Sequence, residues 1–156
     1  MRIIEGKLAG AGLRFCIVSP RSGGVAGEGL LIGAKDALLR HEVSHHGVDI
    51  VRTPGVWEAA LAAKEAAITG RYDGIIVIGA LCAGEREYLK ILGNIASVGL
   101  AQRVPVTFGF QAAGPGGRDR DCSGADNEGF KAAVAAIEMA NLLRQMRNEK
   151  GDVLDA

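Results

Sequence analysis

Gly74-Ile-Ile-Val-Ile-Gly79 is a glycine-bounded run without a polar residue. A strand with one face in water alternates apolar with polar side chains. A continuous apolar run needs cover on both faces, as inside a parallel sheet. Three further short runs repeat the theme: Arg14 to Ser19 closed by Pro20, Val48 to Thr53 stopped by Pro54-Gly55, and Val104 to Gly109. Segments of helical spacing lie between them. Gly27 to Arg40 places Leu31, Ala34 and Leu38 on one face, Trp57 to Thr69 is alanine-rich and ends at Gly70, and Glu85 to Arg103 is broken only by Gly93 and Gly99. A last helix, with Asp126 as its expected cap, aligns Phe130, Ala133, Val134, Ile137 and Ala140. Strand–helix alternation of this kind predicts an α/β chain: a three-layer, doubly wound, mostly parallel sheet with right-handed crossovers.

With 156 residues the chain fits one domain, expected over 1–146, with 147–156 a polar, frayed C-terminal tail. The 24 alanines and 23 glycines against 4% aromatics imply packing by close backbone approach, in a tightly layered core or across subunit contacts. Eighteen basic residues balance eighteen acidic ones, which excludes a chain-wide basic footprint for nucleic acid. Apolar runs stay well short of the roughly 20 residues of a membrane span. Met1 to Lys7 carries a charge every few residues, unlike a secretion signal, so a cytoplasmic location is expected. Cys16, Cys82 and Cys122 are an odd set without metal-type spacing, so neither a disulfide framework nor a metal site is expected. Ile3 to Leu8 is short and separate, suited to an extra edge strand, on this subunit or a neighbour.

Ligands of doubly wound sheets bind beyond the carboxyl ends of the strands. Those ends are Ser19 to Gly24, Pro54 to Glu58, Ala80 to Arg86 and Phe108 to Phe110. Pro54-Gly55-Val56-Trp57-Glu58 joins a turn, the only tryptophan and a carboxylate at a helix start. Glu58 there suits either the helix dipole or, with free backbone N–H groups, the hydroxyls of a polyol. Gly79 to Arg86 is a glycine-containing loop opening a helix, a generic anion site, in which Arg86 attracts phosphate and Glu85 and Glu87 repel it. Residues 111–125 carry four glycines and a proline and read as a loop. Its Arg118 and Arg120 offer cationic donors, offset by Asp119, Asp121 and Asp126. Cys82 stands where a nucleophile can stand, but also where a small buried hydrophobe does. His41 and His45 are spaced i, i+4, which suits a metal pair or a helix C-terminus.

Five separated segments stand in order: Ile-Ile-Glu-Gly-Lys-Leu at 3–8, Gly12-Leu-Arg-Phe-Cys-Ile-Val-Ser with Arg21, Val51-Arg-Thr-Pro-Gly-Val-Trp-Glu58, Pro105-Val-Thr-Phe-Gly109 and Ala136-Ile-Glu-Met-Ala-Asn-Leu142. Together they resemble the lumazine synthase family. The similarity covers about residues 1 to 146. It implies a flavodoxin-like layered sheet, assembled into pentamers that sometimes close into icosahedral shells, with active sites between adjacent subunits. It implies riboflavin biosynthesis: condensation of a ribitylamino-pyrimidinedione with a four-carbon keto-phosphate, losing water and phosphate, without metal or organic cofactor. The resemblance assigns the ribityl chain to Gly55, Val56, Trp57 and Glu58, the pyrimidine ring to the backbone at Leu81 and Cys82, and the phosphate side to Gly84 and Arg120. Phe108 matches the aromatic lent across the subunit boundary, and Asn127 and Gly129 match a fragment of the motif that follows.

Several positions depart from the family pattern. Ser22 replaces the stacking aromatic, Arg86 the hydroxyl residue on the phosphate, Tyr88 the proton-shuttling histidine, and Gly124 and Glu128 two lysines. Imidazole titrates near neutrality, whereas a phenol's reference pKa is about 10. Losing a positioned acid–base costs about 10²- to 10⁴-fold, while proximity alone still supports slow condensation. Three expectations follow. The chain is a lumazine synthase with weakened chemistry, with Arg86 and Arg120 on phosphate and Tyr88 at the catalytic position. Alternatively it is a non-catalytic shell-forming or ligand-binding homologue, natural or engineered. A different small-molecule enzyme would need a new acid–base pair, such as Tyr88 with Glu85 or Glu87.

Overall fold

The structure, a computed structural model, describes residues 1–81, 85–112 and 126–154. Four strands, β1 (Phe15–Pro20), β2 (Val48–Thr53), β3 (Gly74–Leu81) and β4 (Val106–Ala112), form one parallel sheet in the order β2-β1-β3-β4. Four helices separate or follow them: α1 (Gly24–Arg40), α2 (Ala59–Ile68), α3 (Glu85–Gln102) and α4 (Glu128–Leu154). Ile17 pairs with Ile50 on one side and Ile76 on the other, and Val77 pairs with Phe108.

The strand pleat explains the unbroken apolar runs. Phe15, Ile17, Ile76 and Ile78 point to one face and pack with Leu30, Ala34 and Leu38 of α1 and Ala133, Ala136 and Ile137 of α4. Cys16, Val18, Ile75 and Val77 point to the other and meet Ala59 and Ala63 of α2 and Ile91 and Ile95 of α3. Both faces are thus covered, and alternate side chains feed two separate cores. The alanines let the helices lie close to the sheet.

Several boundaries differ from the sequence expectation, each for a local reason. Helix α3 stops at Gln102 because Arg103 takes a left-handed φ of 56°. β4 begins at Val106, after Pro105, whose ring leaves no N–H for the ladder but whose carbonyl accepts from Ile75 N at 2.8 Å. The cap of α4 is Asn127, one residue beyond the expected Asp126: its Oδ1 accepts from Gly129 N at 2.8 Å and Phe130 N at 3.1 Å. Its Nδ2 donates to Gly29 O of α1 at 2.9 Å, tying the two helices together.

Ile3 to Leu8 form no strand within this chain. The carbonyls of Lys7 and Ala9 instead accept from Asn141 Nδ2 of α4, at 2.6 and 2.9 Å. Where a frayed tail was expected after Met146, α4 continues to Leu154. Among the described residues no helix is long and apolar enough to cross a membrane.

Candidate functional site

The chain runs from β1 outward to β2, then crosses back to place β3 on the other side of β1. That reversal opens a crevice beyond the carboxyl ends of β1 and β3, where doubly wound sheets bind ligands. Among the described residues, two turns border it. After β1, Arg21–Gly23 make one 3-10 turn, and Gly24 then adopts φ 56°, a conformation suited to glycine. A Cβ on Gly23 would lie 3.7 Å from Ala80 N, so this turn leans on the end of β3.

After β2, Thr53 Oγ1 donates to Gly55 O at 2.9 Å, and Ala59 N donates to Val56 O at 3.1 Å. These bonds fold Pro54–Glu58 into a compact turn. Val56 is buried, whereas Trp57 is 60% exposed. Glu58 occupies the N-cap position of α2 but its side chain makes no capping bond. Its carboxylate lies over Gly55: a Cβ there would stand 3.0 Å from Glu58 Oε2 and 3.9 Å from Ser22 Oγ. Gly55, Glu58 and Ser22 therefore share one polar patch.

Aromatic side chains pack at the same end of the sheet. Phe110 is buried at the end of β4, with Tyr88 of α3 edge-on to it, ring centroids 6.2 Å apart and planes at 82°. Phe108 lies 6.2 Å from Phe110 and is 41% exposed. Gly79 makes room for this packing, since a Cβ there would sit 2.8 Å from Phe110 Cε1 and 3.3 Å from Val56 Cγ2. A packed path thus runs from Val56 past Gly79 and Phe110 to Tyr88, and buried Leu81 belongs to the same cluster. Arg86 is exposed on the first turn of α3. Cys82, Gly84 and Arg120, with Arg118, Cys122 and Gly124, lie outside the described residues.

The histidines stand elsewhere. His41 closes α1, its Nδ1 2.7 Å from Ala37 O. His45 and His46 form a separate 3-10 turn before β2. Among the described residues no group of three or more His, Cys, Asp or Glu is placed to hold a metal ion.

The model of the 6,7-dimethyl-8-ribityllumazine synthase family matches residues 12–144, a stretch that takes in every strand and helix boundary up to the middle of α4. The chain belongs to this family. Relatives of that name include proteins from Chlorobium phaeobacteroides, 36% identical over 158 residues, and Kosmotoga olearia, 37% identical over 153. Each alignment covers 94% of this chain and 98% or more of the relative. A third, from Thermococcus kodakarensis, is 35% identical over 156 residues, 96% of this chain and 99% of its own. The lumazine synthase family works in riboflavin biosynthesis, and this chain has its flavodoxin-like α/β fold.

Two features of this lumazine synthase-type crevice were not singled out from sequence. Arg52, at the end of β2, donates from Nη1 to Ser19 Oγ at 3.1 Å and pairs through Nη2 with Glu28 of α1. The cluster ties the ends of β1 and β2 to α1, directly before the Pro54–Glu58 turn. Phe110, rather than Phe108 alone, is the buried aromatic. Its signal was the i, i+2 spacing from Phe108, which puts both rings on one face of β4, opposite the small Gly79.

Proposed function

We propose that this protein catalyses the lumazine synthase condensation of a ribitylamino-pyrimidinedione with a four-carbon keto-phosphate, releasing water and phosphate. The observation that carries the reading is the Gly55–Glu58 turn. Its carboxylate makes no capping bond and lies over Gly55 beside Ser22 Oγ, at the carboxyl end of the sheet, where Phe110 and Tyr88 also pack. A carboxylate accepts hydrogen bonds from several hydroxyls at once, as a ribityl chain requires. In this reading Glu58 and the backbone at Gly55, Val56 and Trp57 hold the ribityl chain, and Leu81 and Cys82 border the pyrimidine. Arg86 and Arg120, with Gly84, take the phosphate by forked hydrogen bonds. Phe108, exposed at the sheet edge, stacks across a subunit boundary in a homo-oligomer, a pentamer able to close into a larger shell. Residues 1–146 act as one domain, in the cytoplasm, without a metal or organic cofactor.

The amine of the pyrimidine adds to the ketone carbon and water leaves to form an imine. Loss of a proton from the adjacent carbon expels phosphate with the electron pair of its C–O bond, and the resulting enol becomes a ketone. The ribitylamino nitrogen then adds to that ketone carbon and a second water leaves, which closes the ring. Alignment of the two substrates supplies much of the acceleration. Tyr88 stands where the family histidine is expected, so proton transfer is the slow part and the rate is reduced. Purified protein mixed with both substrates, with product absorbance followed, tests the reading. A rate equal to the uncatalysed background would remove it.

One observation favours a second reading, a non-catalytic binding or shell-forming homologue. Tyr88 is packed edge-on against buried Phe110 and serves the core there. Calorimetry with a ribityl-pyrimidine analogue separates the two readings. Binding without turnover selects the second, and turnover selects the first.

A further inference from the structure

We propose that Arg52 is a positioning residue for the ribityl chain: its guanidinium clamps the two turns that carry Ser22 and Glu58 at a fixed spacing. The role rests on the function proposed above, and it falls to a side chain that itself touches no substrate.

β2 is an edge strand, with β1 as its one neighbour in the sheet among the described residues. The Pro54–Glu58 turn that leaves it therefore has a strand to lean on from one side only. By the pleat Arg52 shares the α1 face of the sheet with Val48 and Ile50. Its register partner on β1 is Ser19, a buried hydroxyl in an otherwise apolar strand. Arg52 Nη1 donates to Ser19 Oγ at 3.1 Å, and Nη2 donates to Glu28 Oε1 in the second turn of α1. One planar fork so grips both sides of the β1–α1 turn, since Ser19 precedes Ser22 and Glu28 follows it. Thr53 comes next along β2, buried, and its Oγ1 donates to Gly55 O at 2.9 Å. Contacts thus run from Ser19 and Glu28 through Arg52 and Thr53 to Gly55. That is the residue over which the Glu58 carboxylate lies and beside which Ser22 Oγ stands.

Magnitude separates position from stability. The side chains of Arg52 and Glu28 are 32% and 55% exposed. An ion pair that open adds little to the folding free energy, and the strand ladder and the core already hold the body of β2. The clamp therefore acts on what is held least, a turn at the end of an edge strand. A carboxylate that must meet several hydroxyls at once is sensitive to small displacements. Arginine suits this task better than lysine, because its fork reaches two acceptors in fixed geometry whereas an ammonium is a point charge.

Trp57, the only tryptophan in the chain, sits in the turn and reports on it without any substrate. The test is time-resolved fluorescence anisotropy of Trp57 in the full-length protein, with calorimetric binding of a ribityl-pyrimidine analogue. Arg40→Met, which breaks the solvent-exposed Arg40–Asp36 pair at the far end of α1, is the control. Arg52→Met is expected to raise the amplitude of subnanosecond Trp57 motion about twofold or more and to weaken analogue binding about fivefold. Its melting temperature should stay within about 3 °C of wild type. Arg52→Lys falls between, and Arg40→Met changes neither reading. In turnover, KM for the pyrimidine rises while kcat holds within about twofold, as loss of binding shared by ground and transition states requires. Should Arg52→Met not fold, Glu28→Ala, which removes one arm of the fork at an exposed position, decides by the same readings. Unchanged Trp57 motion or unchanged affinity in the folded variant, or a change that Arg40→Met reproduces, overturns the proposal. A wild type that binds no ribityl-pyrimidine overturns both the proposed function and this role, whereas a wild type that binds, with Arg52→Met unaltered, overturns this role alone.

Discussion

Tyr88 meets Phe110 edge to face, ring centroids 6.2 Å apart and planes at 82°. The contact joins the helix expected to bring the proton-handling group to the carboxyl end of β4. An imidazole at position 88 fits within the volume of the phenol and keeps an aromatic edge toward Phe110. Tyr88→His is therefore expected to raise the condensation rate at pH 7 by tenfold or more, the lower part of what a positioned acid–base supplies. Thermal stability should change little. Steady-state kinetics check it, and an unchanged kcat means that the imidazole was not the missing part.

Gly79→Ala and Gly55→Ala add the same methyl group with opposite consequences. At position 79 the new Cβ stands 2.8 Å from the Phe110 ring, which is buried and has nowhere to move. The expected cost is about 1–3 kcal/mol in chemical denaturation. At position 55 it meets the far end of the Glu58 side chain at 3.0 Å, which swings aside cheaply. Stability there should stay within about 0.5 kcal/mol. Affinity for a ribityl-pyrimidine analogue should fall at least tenfold, because the carboxylate has left its patch. If stability falls as far at 55 as at 79, Glu58 is a structural brace and not a ligand group.

Asn127→Ala removes a cap and a cross-link together. Gly129 N and Phe130 N lose their acceptor, and Gly29 O of α1 loses its donor. A lost cap costs about 1 kcal/mol and an orphaned buried group about 1–3 more. A drop of about 2–4 kcal/mol is expected from urea titration. Asn127→Asp keeps the cap but cannot donate to Gly29 O, so it should lose part of this and not all. Equal losses for both variants would show that the link to α1, and not the cap, dominates.

β1 and β3 were legible as near-continuous apolar runs cut by proline or glycine, because burial on both sheet faces leaves that signature. β2, at a sheet edge, carries Asp49 and Arg52 and was legible chiefly from its Pro54-Gly55 stop. The cap of α4 was displaced by one residue because Asp126 and Asn127 both suit the position. Only Asn127 can also donate, and Gly29, 98 residues earlier, is its partner. The Gly55–Glu58 turn was readable from Pro54-Gly55 and the helix that follows. That the Glu58 carboxylate turns back over Gly55 was not, since a helix start accommodates either orientation. Ile3 to Leu8, short and separate, suited an extra edge strand on this subunit or a neighbour, yet within this chain Asn141 offers its side-chain donor and no ladder.

Just before β3, Tyr72 donates its hydroxyl to Asp49 Oδ2 at 2.6 Å, near buried Cys16. Burial, with the Asp49 hydrogen bond next, pushes Tyr72 from 10.0 up to about 12. Burial, with the negative charge of Asp49 next, pushes Cys16 from 9.0 up to about 11. Both groups are neutral when protonated, so a raised folded pKa means that the folded state holds its protons more tightly than the unfolded chain. The stability they contribute is complete below pH 9 and is lost as pH rises through 11 and 12, because there the unfolded chain binds fewer protons. Urea midpoints measured from pH 8 to 12 should therefore fall steadily above pH 9. Cys16→Ala should flatten the part between 9 and 11, and Tyr72→Phe the part between 10 and 12. In native protein the Cys16 thiol should also resist alkylation at pH 8, because the thiolate is the reactive form and the side chain is sealed between sheet and helices. Peptide mapping reads this directly. Rapid labelling of Cys16 without unfolding, or a midpoint curve that neither variant flattens, would show that protons are not released where burial and Asp49 place them.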